Sequence, residues 1–483
     1  MIMEMSTGQT LASCPRTGEP AALMRVPVNC SLSARQMLAA LAPEPLPFAL
    51  TGSWAGGAAI VSSDPLAVAG DNDDPFTVLD RLPSLPGGEL ESGGAVGGGW
   101  FGWLGYRLGA RIERLPAGPP RPVALPDFHL AYYDNLLRLD PAGRWWFEAL
   151  VTPGRRAAIE ARLPALHERI AAAPVRPPGR SSTAPTAPPA LRLTGEAAAH
   201  HVGAVRACRR RIFAGEIFQA NICLRLEAEW EGSASGLLSG ALEHISPPYG
   251  AAFDTPRGSI ASLSPELFLR RRGRGVVTAP IKGTIVRARD PDAAEAALAR
   301  LRRSAKDAAE HVMIVDVMRN DLGRVCEYGS IVAPREPAAE AHPGLWHLVS
   351  RVRGELRHGV GNGELVRATF PPASVTGAPK VQAMKVIAEL ELAGREVYTG
   401  AIGFASPAAG LELSVAIRTL ELGHGRLWLG AGGGIVSDSD PDQELEEALA
   451  KARPIAAAVG TSVVVGENPR GRSPRPRHVT RTR

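Results

Sequence analysis

From about Met24 to Val151 apolar and polar positions alternate in short runs, each closed by a cluster of turn residues. Period two over a few residues is the mark of half-buried strands, so this stretch reads as sheet. Leu136–Leu139 and Trp145–Leu150 flank Asp140-Pro141-Ala142-Gly143, which predicts a hairpin. Residues 154–173 predict a helix. Pro174 to Pro189 holds six prolines among Ser, Thr and Ala, the composition of a linker or long exposed loop. Thr194 is placed to cap a helix running to about Ala214. From there to about Val459 strands and helices mix without a strand–helix–strand rhythm, so the predicted class is α+β. Leu413–Leu420 and Arg426–Leu429 predict strands, and helices are predicted after Lys306, after Lys380 and after Asp440. The boundaries are a flexible extension at 1–23, a first region at 24–173, the linker at 174–190, a second domain at 191–460 and a basic tail at 466–483 that cannot fold alone.

The 483 residues are enough for about three domains, and 45% apolar with 21% charged residues excludes a disordered or coiled-coil chain. No apolar run approaches the roughly 18 residues of a membrane span. Five scattered cysteines without a CxxC pair, and an N-terminus without a signal-peptide pattern, predict a reducing, cytoplasmic setting. The formal charge of +5 raises the question of nucleic acid. Six arginines and no acids follow Glu467, however, and without them 48 basic residues face 49 acidic ones. The excess belongs to the tail, and no nucleic-acid partner is expected.

The basic residues are themselves uneven. Of 54, five are lysines: Lys282, Lys306, Lys380, Lys385 and Lys451. A surface cation can be arginine, but chemistry that needs a deprotonatable amine cannot. The retained lysines are therefore candidates for function.

Several constellations carry chemistry. Glu266, in Ser264-Pro265-Glu266, and Lys282, in Pro280-Ile281-Lys282-Gly283-Thr284, fall at predicted strand ends. Burial can bring such a pair into service as acid and nucleophile, and a strand-end salt bridge is the plainer reading. Asp307 and Glu310 share a helix face, as do Glu444 and Glu447, with Lys451 one turn on. Two such faces can hold Mg²⁺, or simply complement two helix dipoles. Ser374–Lys380 opens an amphipathic helix as an anion site or a cap. Gly430-Ala431-Gly432-Gly433-Gly434 lets backbone N–H groups approach a carboxylate or phosphate. Arg418 is a further anion clamp. A small, multiply anionic substrate fits this set.

Together these stretches resemble the chorismate-utilising enzymes, the family of anthranilate, aminodeoxychorismate, isochorismate and salicylate synthases. Phe218-Gln219-Ala220-Asn221, Lys306–Arg324, His347-Leu348-Val349-Ser350, Tyr398–Gly403, Ala416-Ile417-Arg418-Thr419 and Gly432–Lys451 also match its pattern, in order over about 240 residues. In the first region Gly98-Gly99-Trp100-Phe101-Gly102 and Asp134 resemble the family's partner domain. The resemblance implies antiparallel sheets packed as a sandwich and flanked by helices, with an anthranilate-synthase-like region before a chorismate-binding catalytic domain. It implies Mg²⁺ on Glu310 and Glu447, with Asp307 and Glu444 nearby or through water. Tyr398, Arg418 and the backbone of Gly432, Gly433 and Gly434 would take the enolpyruvyl carboxylate. His347, Thr376 and Lys451 would line the site, and Glu266 would be the general acid.

Two positions separate the subfamilies. Relatives that add water carry a lysine base where this chain has Gln219, and glutamine has no titratable base. Anthranilate synthases have alanine where this chain has Lys282, and aminodeoxychorismate synthases have lysine. The expected reaction is therefore amination of chorismate at C4, for p-aminobenzoate and folate, with anthranilate synthesis or secondary metabolism as the alternatives. Pro372-Ala373 replaces the usual glycine pair before Ser374. Leu50-Thr51-Gly52-Ser53 lacks the glutamate of the tryptophan-binding element, which argues against tryptophan feedback. No cysteine sits in a Gly-x-Cys-x-Gly elbow, so ammonia is expected from a separate glutamine amidotransferase subunit.

Overall fold

A computed structural model describes residues 11–86, 94–121, 125–172, 188–287, 290–334, 336–342 and 345–466. The expected linker and basic tail fall almost wholly outside the described residues. Within them two large sheets face each other. A 13-stranded sheet starts at Ala22–Val28 and passes through Phe48–Gly52, Tyr249–Phe253, Ser259–Ser264, Thr419–Gly423, Arg426–Ile435 and Gln219–Glu229. It ends on the parallel pair Leu191–Thr194 and Val463–Gly466. An eight-stranded sheet has Leu267–Arg272, Gly410–Val415, Ala401–Ser406, Gly99–Leu104 and Phe128–Tyr133 at its middle. Both sheets draw strands from either side of the 173–187 segment, so the two sequence regions share them. A third, three-stranded sheet joins Ile281–Val286, Leu345–Val349 and Ala338–His342.

Strand alternation explains the layers. Phe48 and Leu50 point into the space between the large sheets, where they meet Phe101, Trp103, Tyr133 and Phe404 from the facing sheet. Ala49, between them in sequence, points the other way, into the cluster that includes Leu38, Leu166 and Leu449 from covering helices. Trp100 and Tyr132 likewise leave the sandwich interior, joining Phe76, Met318 and Leu365 beneath the second sheet. Each sheet is thus apolar on both faces, which is why its strands read as short, nearly continuous apolar runs.

The Asp140 turn joins Asn135–Leu139 to Trp145–Val151 as a hairpin, and Thr194 caps Gly195–Phe213 through a 3.1 Å bond from the Ala197 N–H to its hydroxyl. Asp440 caps Pro441–Ala458 in the same way, accepting from the N–H groups of Asp442 and Gln443. Two expectations change. The strand expected over Leu413–Leu420 is two strands in different sheets, Gly410–Val415 and Thr419–Gly423. The chain crosses between them at Ala416–Arg418, and Arg418 takes a left-handed φ of 51° to make the bend. The strand expected over Arg426–Leu429 runs on through the glycines, as Arg426–Ile435.

Candidate active site

The crossing at Ala416–Arg418 has a companion. Ser264-Pro265-Glu266 carries the neighbouring strand from the 13-stranded to the eight-stranded sheet, and the two crossings are tied side by side. The Leu263 N–H donates to the Arg418 carbonyl at 3.0 Å and the Val415 N–H to the Glu266 carbonyl at 3.0 Å. The Ser264 hydroxyl braces the bend, accepting from the Glu266 N–H and donating to the Val415 carbonyl. A second pair of crossings joins the eight-stranded sheet to the small one. One runs from Gly275–Ala279 into Ile281–Val286, the other from Leu345–Val349 into Val352–Glu355. The Ser350 N–H donates to the Pro280 carbonyl between them. Lys282 and His347 lie just past this second pair.

Where the sheets part a cavity opens, of about 660 Å³. This is an ordinary volume for a small-molecule site. Strand Thr419–Gly423 pairs with Arg426–Ile435 only as far as Leu420 opposite Leu429, so one edge of the glycine stretch beyond Leu429 is left to the cavity. Its other edge pairs with Gln219–Glu229. Side chains would not fit there. A Cβ on Gly430 would lie 2.4 Å from the Tyr398 ring, and one on Gly434 would lie 1.9 Å from Gln219 Nε2. Gly430→Ala should therefore push the Tyr398 ring into the cavity and lower kcat/KM for the substrate by more than about tenfold, since misplacements of about 1 Å are costly at such sites. Steady-state kinetics beside a thermal melt check this, and an unchanged kcat/KM would contradict it.

Ten of the expected residues line this one cavity: Glu266, Lys282, Glu310, His347, Tyr398, Arg418, Gly432, Gly434, Glu447 and Lys451. Glu266 is 3% exposed, and its Oε1 has no hydrogen-bond partner among the described residues. Burial raises its pKa to about 7, against the pull of the nearby Ser374 hydroxyl and the Lys282 and Arg418 charges. The Ser374 hydroxyl, close as it is, makes no bond of good geometry. Lys282 Nζ donates to the Ser374 carbonyl at 3.2 Å. Burial lowers its basicity, opposed by Glu310 and Glu266. Burial also lowers the pKa of Arg418, which Glu266 partly offsets. Lys451 pairs with Glu447 at 2.8 Å and donates to the Gly432 carbonyl at 3.0 Å.

Glu310 comes from Ala305–Gly323 and Glu447 from Pro441–Ala458. They lean toward consecutive glycines: a Cβ on Gly434 would be 3.6 Å from Glu310 Oε2, and one on Gly433 would be 3.6 Å from Glu447 Oε1. Among the described residues no three metal-ligating side chains form a ready cluster. Two cavity-facing carboxylates do fit a hard divalent cation that keeps much of its water shell.

Three expectations fall outside the lining. Thr376 is 0% exposed, and its hydroxyl donates to the Pro372 and Ala373 carbonyls, so it holds its own turn together instead of facing the cavity. Glu444 is buried behind Gly433 and accepts from the Ser439 hydroxyl at 2.7 Å. Gly433 turns toward these two acids and away from the open edge. The Asp307 side chain lies outside the described residues. Of the other lysines, Lys380 pairs with Asp321 at 2.5 Å and serves the fold. Asn221 lines the cavity without having been assigned a part, and Ser374, expected as the start of an anion site or a helix cap, lines it too. Asn221 was within reach, because a buried strand with amide side chains at 219 and 221 is unusual enough to mark a site.

Comparison with known proteins covers the stretch of chain that builds this cavity. The chain matches the chorismate binding enzyme family over residues 63–457. It is 35% identical over 387 residues to aminodeoxychorismate synthase component 1 of Salmonella typhimurium, covering 79% of this chain and 82% of that one. It is also 35% identical over 420 residues to anthranilate synthase component 1 of Streptomyces coelicolor, covering 83% and 80%. Among solved structures, anthranilate synthase component I of Streptococcus pneumoniae superposes with a TM-score of 0.70 at 25% identity, over 94% of this chain and 95% of that one.

Proposed function

The chain belongs to the chorismate binding enzyme family, and from that premise we propose that it aminates chorismate to 4-amino-4-deoxychorismate. The observation that carries the choice is Lys282, an amine of burial-lowered basicity in the same cavity as a carboxyl whose pKa is raised to about 7. Neutral Lys282 attacks C2 of chorismate, both double bonds of the ring diene shift in concert, and the C4 hydroxyl leaves as water on a proton from Glu266. Ammonia then attacks C4, both double bonds shift back, and Lys282 departs from C2 as the free amine. Glu266 recovers a proton from the new ammonium. The enolpyruvyl group is never cleaved. Arg418, Tyr398 and the open glycine edge bind its carboxylate, and Lys451 and His347 complete the wall.

Mg²⁺ would be held by Glu310 and Glu447, with Glu444 behind Gly433, and would neutralise and fix the ring carboxylate. Treatment with EDTA should reduce turnover more than about tenfold, and added Mg²⁺ should restore it; full activity after chelation would remove the metal from the account. The ammonia comes from a glutamine amidotransferase subunit, for which ammonium salts substitute. A cytoplasmic place in p-aminobenzoate synthesis follows from that product. Among the described residues no helix is long and apolar enough to cross a membrane. The rival is anthranilate synthase, whose relatives are as similar. Incubation with chorismate, Mg²⁺ and ammonium separates the two: the proposal expects chorismate loss without anthranilate fluorescence, and fluorescence with no lyase added would overturn it.

A further inference from the structure

Behind the cavity wall lies a cation that the reaction does not use. Arg395 is 4% exposed and does not line the cavity. It pairs with the equally buried Glu391, donating from Nε to Oε2 at 2.9 Å and from Nη2 to Oε1 at 2.5 Å. Its remaining N–H groups reach three other stretches of chain. Nη1 donates to the Val375 carbonyl at 2.8 Å and to the Thr399 hydroxyl at 3.4 Å. Nη2 donates to the Asn221 carbonyl at 2.5 Å. Glu391 adds a fourth tie, accepting from the Cys223 N–H at 2.8 Å. The guanidinium plane rests over the Tyr106 ring, 4.8 Å from its centroid.

Each tied stretch supplies the cavity. Asn221 lines it directly. Val375 lines it beside Ser374, whose carbonyl is the acceptor of the Lys282 amine. Thr399 follows Tyr398, holds a left-handed φ of 66°, and donates to the Tyr398 carbonyl at 2.6 Å. Burying a guanidinium–carboxylate pair has a desolvation cost that packing alone would not require. A planar fork can serve four acceptors in fixed directions, and an ammonium cannot. We infer that Arg395, backed by Glu391, is a positioning residue that sets the Ser374–Val375 turn, Asn221 and Tyr398 against one another, and through the Ser374 carbonyl aims the Lys282 amine. The inference rests on Lys282 being the nucleophile.

The test uses the full chain with chorismate, Mg²⁺ and ammonium, and counts chorismate consumed whatever the product. A wrong product assignment then shows in the product, and a wrong positioning role shows in the rate. Turnover is divided by the number of chorismate-binding sites, titrated without ammonium. Arg395→Gln should lower kcat per binding site by on the order of 10- to 100-fold, with the chorismate Kd held within about threefold. Arg395→Lys keeps the charge and the Glu391 pair, and should melt near the parent temperature yet fail to restore kcat. A residue that only stabilised the core would reduce the number of binding sites and leave kcat per site alone. Should Arg395→Gln not fold, Arg395→Lys and Glu391→Gln decide the matter. Folded variants with kcat per site within about twofold of the parent would overturn the inference.

Discussion

Lys282→Ala should reduce formation of 4-amino-4-deoxychorismate by on the order of 10³-fold, the scale lost when a reacting group is deleted from a preorganised site. The side chain does two things that alanine cannot. It offers a lone pair at C2, because burial lowers its basicity toward the neutral amine. It also leaves again when ammonia arrives at C4, so the nitrogen enters there and not at C2. Without it ammonia can add only directly at C2, and any residual amination should give an ortho-amino product. The substitution leaves the donor to the Ser374 carbonyl missing but creates no clash, so chorismate binding should persist. Product analysis by chromatography, with a binding titration as the control, reads both effects. Normal aminodeoxychorismate formation by the alanine variant would mean that the lysine is a wall residue and that ammonia attacks unaided.

Glu266→Gln should lower kcat by about 10²–10⁴-fold, the usual worth of a general acid. Glutamine keeps the shape and fills the same bend between the sheets, so a loss of this size reads the proton and not the packing. The pH profile adds a second reading. The acid must be protonated to expel the C4 hydroxyl, and its pKa is raised to about 7, chiefly by burial. Activity should therefore hold below that value and fall as the pH rises through it. In Glu266→Gln the alkaline limb near 7 should vanish from the residual activity. A parent profile that kept rising well above pH 8 would assign the proton to another group.

The site was largely legible as chemistry and poorly legible as geometry. Acid, amine, carboxylate pairs and glycine run could be picked out because few residue types do such work, and the scarcity of lysine singled out Lys282. Ten of the expected residues do face one cavity. What the sequence hid was how they meet. Leu413–Leu420 reads as one apolar strand because both of its halves are buried, and nothing local announces that they lie in different sheets. The decisive bends at Pro265–Glu266 and Ala416–Arg418 are set by the partner strands crossing beside them. Thr376 was misplaced for a related reason. A hydroxyl at a turn can face a ligand or its own backbone, and only the fold of Pro372–Val375 decides that it caps its own turn. Arg395 escaped notice because an i,i+4 partner to Glu391 in an arginine-rich chain looks like an ordinary helix-end pair, although two of its four acceptors, the Val375 and Asn221 carbonyls, come from distant segments.

If the nitrogen enters at C4, the enolpyruvyl group stays on the ring. Pyruvate released per chorismate consumed measures this directly, with purified chain, Mg²⁺ and ammonium and no lyase. Chorismate should be consumed with essentially no pyruvate released, and stoichiometric pyruvate should follow once an aminodeoxychorismate lyase is added. One pyruvate for every chorismate without the lyase would contradict entry at C4 and would make the chain an anthranilate-forming enzyme.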